Sequence, residues 1–378
     1  MRVHQEALRD FLGKPAIQLV IPVYQRVYAW SQRQCDDLWN DIMRAGRTGA
    51  SHFMGTVLYA IEPGTDRTGE AGQRLDVIDG QQRLATITLL LCALRDWLAE
   101  GDTASNIDAQ AIDQRYLHAS GPDRTPKLLL SRTDQPTLAA LIDRTPLPAD
   151  DDASPNVASN YERFRTKMAN GFDSDDAEAL WHGLGLLLMV GAQMDDQDRP
   201  QLVFESLNSK GMPLTTADLV RNLLLVGVSY AEQARLYEQY WAPIEDLLGA
   251  ADTGEEGAEG GAGTNARTEA EASSSDAALV AALHGWLALR APGLPVGGSD
   301  GVYPAFKAFL ETRWEGTPEE LLSDLHDFCQ KFATTTLRGY NLQAARARTG
   351  GGAIAAAHGR SLEGGPTGLI ADKRLFGD

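Results

Sequence analysis

The sequence predicts an α+β fold: a small ParB/sulfiredoxin-like sheet-and-helix domain followed by a mainly α-helical region. Three β-rich runs, at 16–23, 52–61 and 74–78, lie within the first hundred residues and are separated by turn-forming residues. A long apolar helix pattern follows the third run directly, and beyond residue 101 the apolar periodicity is mainly helical. With 378 residues, of which 43% are hydrophobic, the chain can bury a large core.

The first predicted strand, at 16–23, ends at Pro22, and a capped helix follows it. Ser31 begins that helix, because Gln34 stands three residues later at capping-box spacing. Apolar residues then recur at the spacing of one helix face, at Cys35, Leu38, Trp39 and Ile42.

The runs at 52–61 and 74–78 are predicted to be antiparallel neighbours, since a Gly-, Thr- and charge-rich loop at 62–73 joins them. Asp79 and Gly80 end the second run, and a long helix begins there. Its predicted buried stripe consists of Leu84, Ile87, Leu91, Leu94 and Leu98.

Four segments are expected along the chain: a nucleotide-binding domain at 1–100, a helical domain at 101–248, an acidic linker at 249–276 and a helical region at 277–378. The linker carries seven acidic residues against the single Arg267, amid mostly Gly, Ala, Ser and Thr, so it is predicted to be disordered. Outside it, helices are expected at 161–168, 199–207, 216–226, 230–248, 277–290, 303–314 and 318–333, with 184–194 either strand or helix.

The formal net charge of −18 counts against nucleic-acid binding, which usually needs a basic surface. Part of that charge lies in the linker, so a local basic groove stays compatible with the sequence. Cys35, Cys92 and Cys329 form no C-x-x-C pair, which fits a reducing compartment. With no secretory signal and no apolar run long enough to span a bilayer, we expect a cytoplasmic protein without a membrane partner.

The first polar cluster is Asp79-Gly80-Gln81-Gln82-Arg83, which joins a predicted strand to a helix N-terminus. Unpaired amides and the positive end of the helix dipole make such a terminus an anion site. Gly80 permits close backbone approach, and Arg83 can bind a phosphate through two N–H groups. Asp79 can cap the helix or hold Mg²⁺. The alternative is that Asp79 is only an N-cap and Arg83 only a surface residue.

The second cluster is the loop 21–30, in which tyrosines and a tryptophan alternate with an arginine. Aromatic rings next to a cation suit stacking on bases or contact with a nucleic-acid backbone. Tyr24, Gln25 and Arg26 are the stronger candidates for that role. The alternative, favoured for Trp30, is that Tyr28 and Trp30 are core anchors.

The third cluster combines polar residues at the end of one predicted helix with polar residues on one face of the next; they are Glu205, Asn208 and Lys210, then Asp218, Arg221 and Asn222. Brought together, the two groups could supply a metal-binding carboxylate and phosphate-binding cations. The alternative is a capped helix-turn-helix with surface ion pairs.

Several catalytic motifs are absent from the sequence. It contains no G-x-x-x-x-G-K-[ST], which excludes a Walker-type NTPase, and its seven histidines are dispersed, so no HNH-like nuclease cluster is visible. The sequence also lacks a G-x-S-x-G motif and a Cys-His pairing, so it gives no indication of an acyl-transfer enzyme.

Four segments in this order resemble the N-terminal domain of GmrSD-type modification-dependent restriction proteins: IPVYQRVYAW, HFMGTVL, LDVIDGQQRLATITLL and VFESLNSKGMPLTTADLVRNLLL. The matches cover about the first hundred residues and about 200–225. One departure is Ala85, where many relatives have threonine. The resemblance implies a ParB/sulfiredoxin-like unit whose nucleoside triphosphate hydrolysis is linked to sensing of modified DNA, phosphorothioate DNA among the candidates.

The resemblance also assigns residues to roles. The catalytic residues implied are Asp79, Gln81, Gln82 and Arg83. The nucleotide-binding residues implied are Gly80, Gln25, Arg26, Glu205, Asn208, Lys210, Asp218, Arg221 and Asn222. The residues expected to sense DNA and its modification are Pro22, Tyr24, Arg26, Tyr28 and Trp30.

GTP is the first choice of substrate, with Mg²⁺ as the expected cofactor at Asp79. The expected partners are modified double-stranded DNA and a nuclease domain, either in cis in a longer protein or in trans, and homo-oligomerisation stays open. Two rival hypotheses remain: a ParB-like nucleotide-switched DNA-binding module with little hydrolysis, and a scaffold whose polar turns are only helix caps.

Overall fold

The fold is seen in a computed structural model that describes residues 1–15, 17–62, 73–101, 105–120, 124–131, 133–149, 153–195, 198, 214–226, 228–250 and 269–337. The described residues fall into two compact units. The sheet unit comprises those up to Leu214 and those between 225 and 237. The helical unit comprises 215–224, 238–250 and 269–337.

The sheet unit contains a mixed six-stranded sheet in the order β1-β6-β3-β4-β2-β5. Its strands are β1 Arg2–Ala7, β2 Ile17–Val20, β3 His52–Ile61, β4 Gln73–Asp79, β5 Leu128–Leu129 and β6 Leu187–Gln193. The pairs β1–β6 and β3–β4 are antiparallel, whereas β6–β3, β4–β2 and β2–β5 are parallel. The parallel pairing of β2 and β4 brings their carboxyl ends to the same edge of the sheet.

Helices make up most of the remaining described chain. In the sheet unit they are α1 Leu8–Leu12, α2 Gln32–Thr48, α3 Gln81–Glu100, α4 Ala109–Ile112, α5 Gln135–Asp143, α6 Pro155–Ala169, α7 Ser174–Gly185 and α9 Tyr230–Leu236; helix α8, Thr216–Leu225, belongs to the helical unit except for Leu225. In the helical unit they are α10 Ala242–Ala250, α11 Glu269–Arg290, α12 Val302–Thr312 and α13 Pro318–Phe332. Single π-helical turns follow α4, α9 and α13.

The α+β class predicted from the sequence is confirmed, and the likeness to ParB stays a prediction. The antiparallel pair β3–β4 and the Ser31 capping box of α2 are as predicted. The ambiguous run at 184–194 forms strand β6. The edge strand β1 was not predicted, because its residues RVHQEA lack the apolar alternation of a half-buried strand. The helix predicted at 199–207 lies outside the described residues.

The predicted domain limits stay a prediction, and residues beyond 100 contribute strands to the sheet of the predicted first domain. Strands β5 and β6 belong to the same sheet as the strands of the first hundred residues, and one apolar core runs from Leu8 to Met189. At the linker predicted for 249–276, α10 extends to Ala250 and α11 already begins at Glu269. Residues 251–268 lie outside the described part of the chain.

Helix α3 occupies the centre of the sheet unit and is buried on nearly all sides. The sequence predicted one buried stripe, but every residue from Leu84 to Asp96 is buried. The sheet covers one side of α3, and α4, α5 and α6 contact it elsewhere. Most residues of a helix enclosed in this way are apolar, and the buried Arg95 and Asp96 of α3 form an ion pair with each other. The helices lie on one sheet face, while Leu58, Ile78, Ala192 and Met194 form a small cluster on the other.

Helices α2 and α7 cross at a point where only glycine fits. A Cβ atom on Gly46 would lie 1.7 Å from the Ala179 carbonyl oxygen, and one on Gly183 would lie 2.0 Å from the Ile42 carbonyl oxygen. Both obstacles are backbone atoms, which cannot move aside as a flexible side chain can. The close crossing therefore depends on both glycines.

We expect Gly183→Ala to lower the free energy of unfolding by about 1–3 kcal/mol, because the added methyl group overpacks this crossing. Denaturant titration measures the change. Gly297→Ala is the matched control, since a Cβ at Gly297 meets nothing within 4 Å. Equal stability of the two variants would contradict the assigned crossing.

Candidate functional site

The turn between β4 and α3 depends on Gly80. This residue is the N-cap of α3 in the left-handed region, at φ +100°. A Cβ there would lie 3.1 Å from Val57 Cγ2 and 3.3 Å from the Thr56 carbonyl oxygen. No side chain of the described residues caps the helix, so the N–H groups of its first turn remain able to donate hydrogen bonds to a ligand. The positive end of the helix dipole lies at the same place. The alternative in which Asp79 is simply the N-cap does not apply.

Arg83 binds the backbone of β3. Its Nη1 donates to the Met54 carbonyl at 2.7 Å and its Nη2 to the Thr56 carbonyl at 2.8 Å, with a long 3.5 Å contact to Asp79. The guanidinium is largely buried, which lowers its pKa. Arg83 is therefore not a surface residue. Its guanidinium, predicted from the sequence to bind a phosphate, binds two backbone carbonyls in this structure and positions the turn.

Gly55 makes this arrangement possible. It adopts φ +108° at an irregularity of β3, and a Cβ there would lie 2.0 Å from Arg83 Nη1. The register shift of β3 at Gly55 and the side chain of Arg83 together hold β3 against the start of α3.

We expect Gly55→Ala to lower the free energy of unfolding by about 1–3 kcal/mol and to displace the Arg83 side chain, because it adds both backbone strain and a clash. Gly49→Ala is the matched control: Gly49 also has a positive φ, +71°, but a Cβ there meets nothing within 4 Å. The difference between the two variants in denaturant titration isolates the contact with Arg83. No difference would mean that the contact is dispensable.

Gln82 ties the 21–30 loop to the same helix end. Its Oε1 accepts from the amides of Ala29, at 2.8 Å, and Trp30, at 3.2 Å, and its Nε2 donates to the Val27 carbonyl at 3.2 Å. Gln82 is thus a structural clamp rather than an exposed catalytic group. Gln81 is buried and makes no side-chain hydrogen bond within the described residues, and the Asp79 side chain is 30% exposed.

Gln25 lies beside the turn with an unsatisfied acceptor. Its side chain is buried, and Nε2 donates to the Ile78 carbonyl at 3.0 Å, one residue before Asp79. Its Oε1 has no partner among the described residues. A buried polar atom without a partner costs free energy, so such an atom points to a ligand or a water. Gln25 therefore keeps its place among the candidate ligand-binding residues.

Tyr28 and Trp30 anchor the loop in the core. The Tyr28 hydroxyl lies 2.7 Å from Thr86 Oγ1 and accepts from Asn160 Nδ2 at 3.1 Å, and burial raises its pKa. The Trp30 carbonyl also accepts from Asn160, at 2.7 Å, and its ring packs against the core. The core-anchor alternative thus describes both residues.

The other residues expected to sense DNA are also mostly enclosed. Pro22 and Tyr24 are buried, and burial raises the pKa of Tyr24, while Arg26 is partly exposed. The loop therefore offers little aromatic surface for stacking on bases in this structure.

Asp76 was not among the residues predicted from the sequence. It lies on β4 opposite Val20 of β2, and its Oδ1 is buried without a hydrogen-bond partner among the described residues. Burial, aided by the charge of Glu62, raises the pKa of Asp76 to about 6. The only sequence signal was an acidic residue inside the apolar run LDVI.

We expect Asp76→Asn to stabilise the protein at neutral pH but not at low pH. Because burial holds the pKa of Asp76 at about 6 in the folded protein, above the 3.8 of an ordinary aspartate, the free energy of unfolding of the wild type falls as the pH rises from about 4 to 6. Above about pH 6 the loss in free energy of unfolding stays constant. Below about pH 4 the Asp76 carboxyl group is protonated in both the folded and the unfolded protein, so there is no loss. Melting temperatures across this pH range measure the effect, and a pH-independent difference would contradict the assigned burial.

The third predicted cluster is described only in part. Glu205, Asn208 and Lys210 lie outside the described residues. Leu214, which ends that motif, packs against the small cluster that contains Leu58 and Ile78. The chain thus returns, after the motif, to the sheet face next to the DGQQR turn.

Asp218, Arg221 and Asn222 belong to α8 in the helical unit. Asp218 forms a reciprocal cap with Thr215, and Arg221 bridges Asp218 and Glu245. These contacts match the capped-helix alternative for Asp218 and Arg221. Asn222 is buried, and its Nδ2 has no partner among the described residues, so it retains a donor for a ligand.

No group of three or more His, Cys, Asp or Glu suited to a metal occurs in the described part of the chain. Asp79 is a single carboxylate, and Mg²⁺ is commonly held by one or two carboxylates together with substrate phosphates. The Asp79 side chain fits that pattern, so the magnesium site stays a prediction.

The family model described as GmrSD restriction endonuclease, N-terminal domain, matches residues 8–225. The chain belongs to this family, as its four motifs predicted. Membership indicates a role in restriction and phage defence, with DNA targets and a nuclease partner. A search of curated proteins found no match. Within the described residues, no helix is both long and apolar enough to cross a membrane.

Proposed function

We propose that the sheet unit binds and hydrolyses a nucleoside triphosphate, GTP first among the candidates, and that this reaction reports modified DNA to a nuclease. The observation that carries the proposal is the N-terminus of α3, which no side chain of the described residues caps, beside the buried Oε1 of Gln25, which has no partner among those residues. A helix N-terminus with free amides suits phosphate, and an orphaned acceptor suits an N–H group of a bound ligand.

The chain's own groups divide into positioning and binding roles. Gly80 lets the phosphates approach the amides of Gln81, Gln82 and Arg83. Arg83 and the Gln82 side chain hold the turn in place through backbone contacts. Asp79, which is partly exposed, orients a water or holds Mg²⁺; when bound, that ion neutralises charge developing on the phosphates.

Two buried acceptors favour a base rich in N–H donors. Gln25 Oε1 and Asp76 Oδ1 both lack hydrogen-bond partners among the described residues; Gln25 lies in the loop after β2, and Asp76 lies within β4, opposite the last residue of β2. Guanine presents two neighbouring donors, its ring N1–H and its exocyclic amino group, whereas adenine presents only its amino group, which supports GTP as the first candidate. Crevices at the carboxyl ends of parallel strands are common ligand sites in open sheets.

The modification that is sensed, phosphorothioate first among the candidates, would be recognised near Arg26. A phosphorothioate sulfur is softer and less hydrated than a phosphate oxygen, so an apolar wall beside a cation suits it. Pro22 and Tyr24 precede Arg26 in the loop and are buried, whereas Arg26 is partly exposed. Arg26 is therefore the residue of these three that would contact the modified phosphate. Modified and plain duplexes that bind with equal affinity would remove this part of the proposal.

Phosphate release from the four nucleoside triphosphates, with and without modified DNA, tests the hydrolysis. We expect GTP turnover that Asp79→Asn reduces at least tenfold, because the variant removes the charge that orients the water or metal. Asp10→Asn, an exposed aspartate of the same unit, is the control for net charge and should retain activity. Turnover that is absent in the wild type, or unchanged in Asp79→Asn, would refute hydrolysis at this turn.

A second candidate is a nucleotide-switched DNA-binding module with little turnover. The occupied Arg83 guanidinium favours it, since a cation already bonded to Met54 and Thr56 stabilises no developing phosphate charge. Nucleotide binding in calorimetry without phosphate release would select this candidate over the first.

A further inference from the structure

A cationic cavity lies among the helices of the sheet unit, away from the DGQQR turn. It has a volume of about 660 Å³ and lies between α2, α6 and the start of α7. Its cationic lining residues are Arg44, Arg47, Arg163 and Lys167, and Asp176 also lines it. Such a concentration of positive charge contrasts with the net charge of −18 of the whole chain.

The cations stand on two helices at helical spacing. Arg44 and Arg47 are separated by three residues on α2, and Arg163 and Lys167 by four on α6, so each pair shares one helix face. The two pairs therefore line one cavity from two sides. This arrangement offers several neighbouring contacts to a polyanion.

Carboxylates already form ion pairs with these cations, and the solvent exposure of each pair determines how strongly it is held. Arg44 contacts Asp41, and Arg47 lies 2.7 Å from Asp176; the two arginine side chains are 64% and 62% exposed. Ion pairs this exposed contribute little to stability. A phosphate, which accepts two parallel guanidinium bonds, can therefore replace the carboxylates at low cost.

The α6 pair is held more firmly. Arg163 Nη2 and Lys167 Nζ lie 2.8 Å and 3.0 Å from the oxygens of Asp36, and Arg163 lowers the pKa of Asp36. The cavity and its partners thus hold four cations against three carboxylates. The α6 pair keeps its geometry while the two α2 arginines remain free to turn towards a ligand.

The aromatic floor of the cavity favours phosphate contacts over base contacts. Trp39 is buried, its ring lies 5.6 Å from that of Phe172, and Lys167 Nζ lies 5.5 Å from its ring centroid. A ring covered in this way offers no face to a base. Most of the accessible charged groups of the lining are cations, which read charge rather than sequence.

We propose that this cavity binds the phosphate backbone of the DNA target. The family acts on DNA, and the 21–30 loop, whose aromatic residues are mostly buried, supplies little surface for it. Exposed arginines on one helix face suit successive phosphates of a strand better than a single small anion. The inference does not require nucleotide hydrolysis, so failure of the proposed reaction leaves it intact.

Fluorescence anisotropy of the full chain with a short unmodified duplex, without nucleotide and over a series of salt concentrations, tests the proposal. We expect Arg44→Gln/Arg47→Gln to weaken binding at least tenfold. It should also reduce the slope of log K against log salt by about 2, since each lost phosphate contact removes about 0.9. Arg44→Lys/Arg47→Lys should keep most of the slope.

Arg2→Gln/Arg235→Gln removes the same charge from exposed positions outside the cavity and should bind like the wild type. Melting temperatures confirm that each variant is folded. The proposal is overturned if the wild type binds no duplex, or if the two glutamine variants bind alike. It is also overturned if the cavity variant loses binding of inorganic triphosphate while duplex binding is retained, which would indicate a small-anion site.

Discussion

The bonds from Arg83 to the carbonyls of Met54 and Thr56 are the interaction on which the site depends. They fasten β3 to the first turn of the central helix, and they exist only because Gly55 and Gly80 leave room for a close approach. The helix N-terminus is thereby held at the edge where the parallel strands β2 and β4 end. An anion bound there would meet preorganised amides rather than a mobile loop.

Much of the fold could be predicted because its signals are local. The Ser31–Gln34 capping box and the buried face of α2 were read directly from spacing, as were the antiparallel β3 and β4. The α+β class followed from the same signals. Strand β1 was missed, because pairing with β6 rather than its own composition makes it a strand.

The roles of single polar residues were harder to predict, because they depend on distant partners. An arginine one turn into a helix can bind a phosphate or a backbone carbonyl equally well. For Arg83, only the position of β3 in the fold determines that it binds carbonyls. Tyr28 likewise joins the core through Asn160, which lies 132 residues away in the sequence. Asp76 stands out only after folding, when its Oδ1 is buried without a hydrogen-bond partner among the described residues.

Hydrogen exchange of the α3 N-terminus, followed by mass spectrometry, tests most directly whether this turn holds a triphosphate. Saturation with a slowly hydrolysed GTP analogue and magnesium should slow exchange of the amides from Gly80 to Arg83, because phosphate oxygens would accept their hydrogen bonds. Amides of β1, at the far edge of the sheet, should exchange unchanged. Bound analogue that protects other segments and leaves this turn unaffected would contradict the assignment.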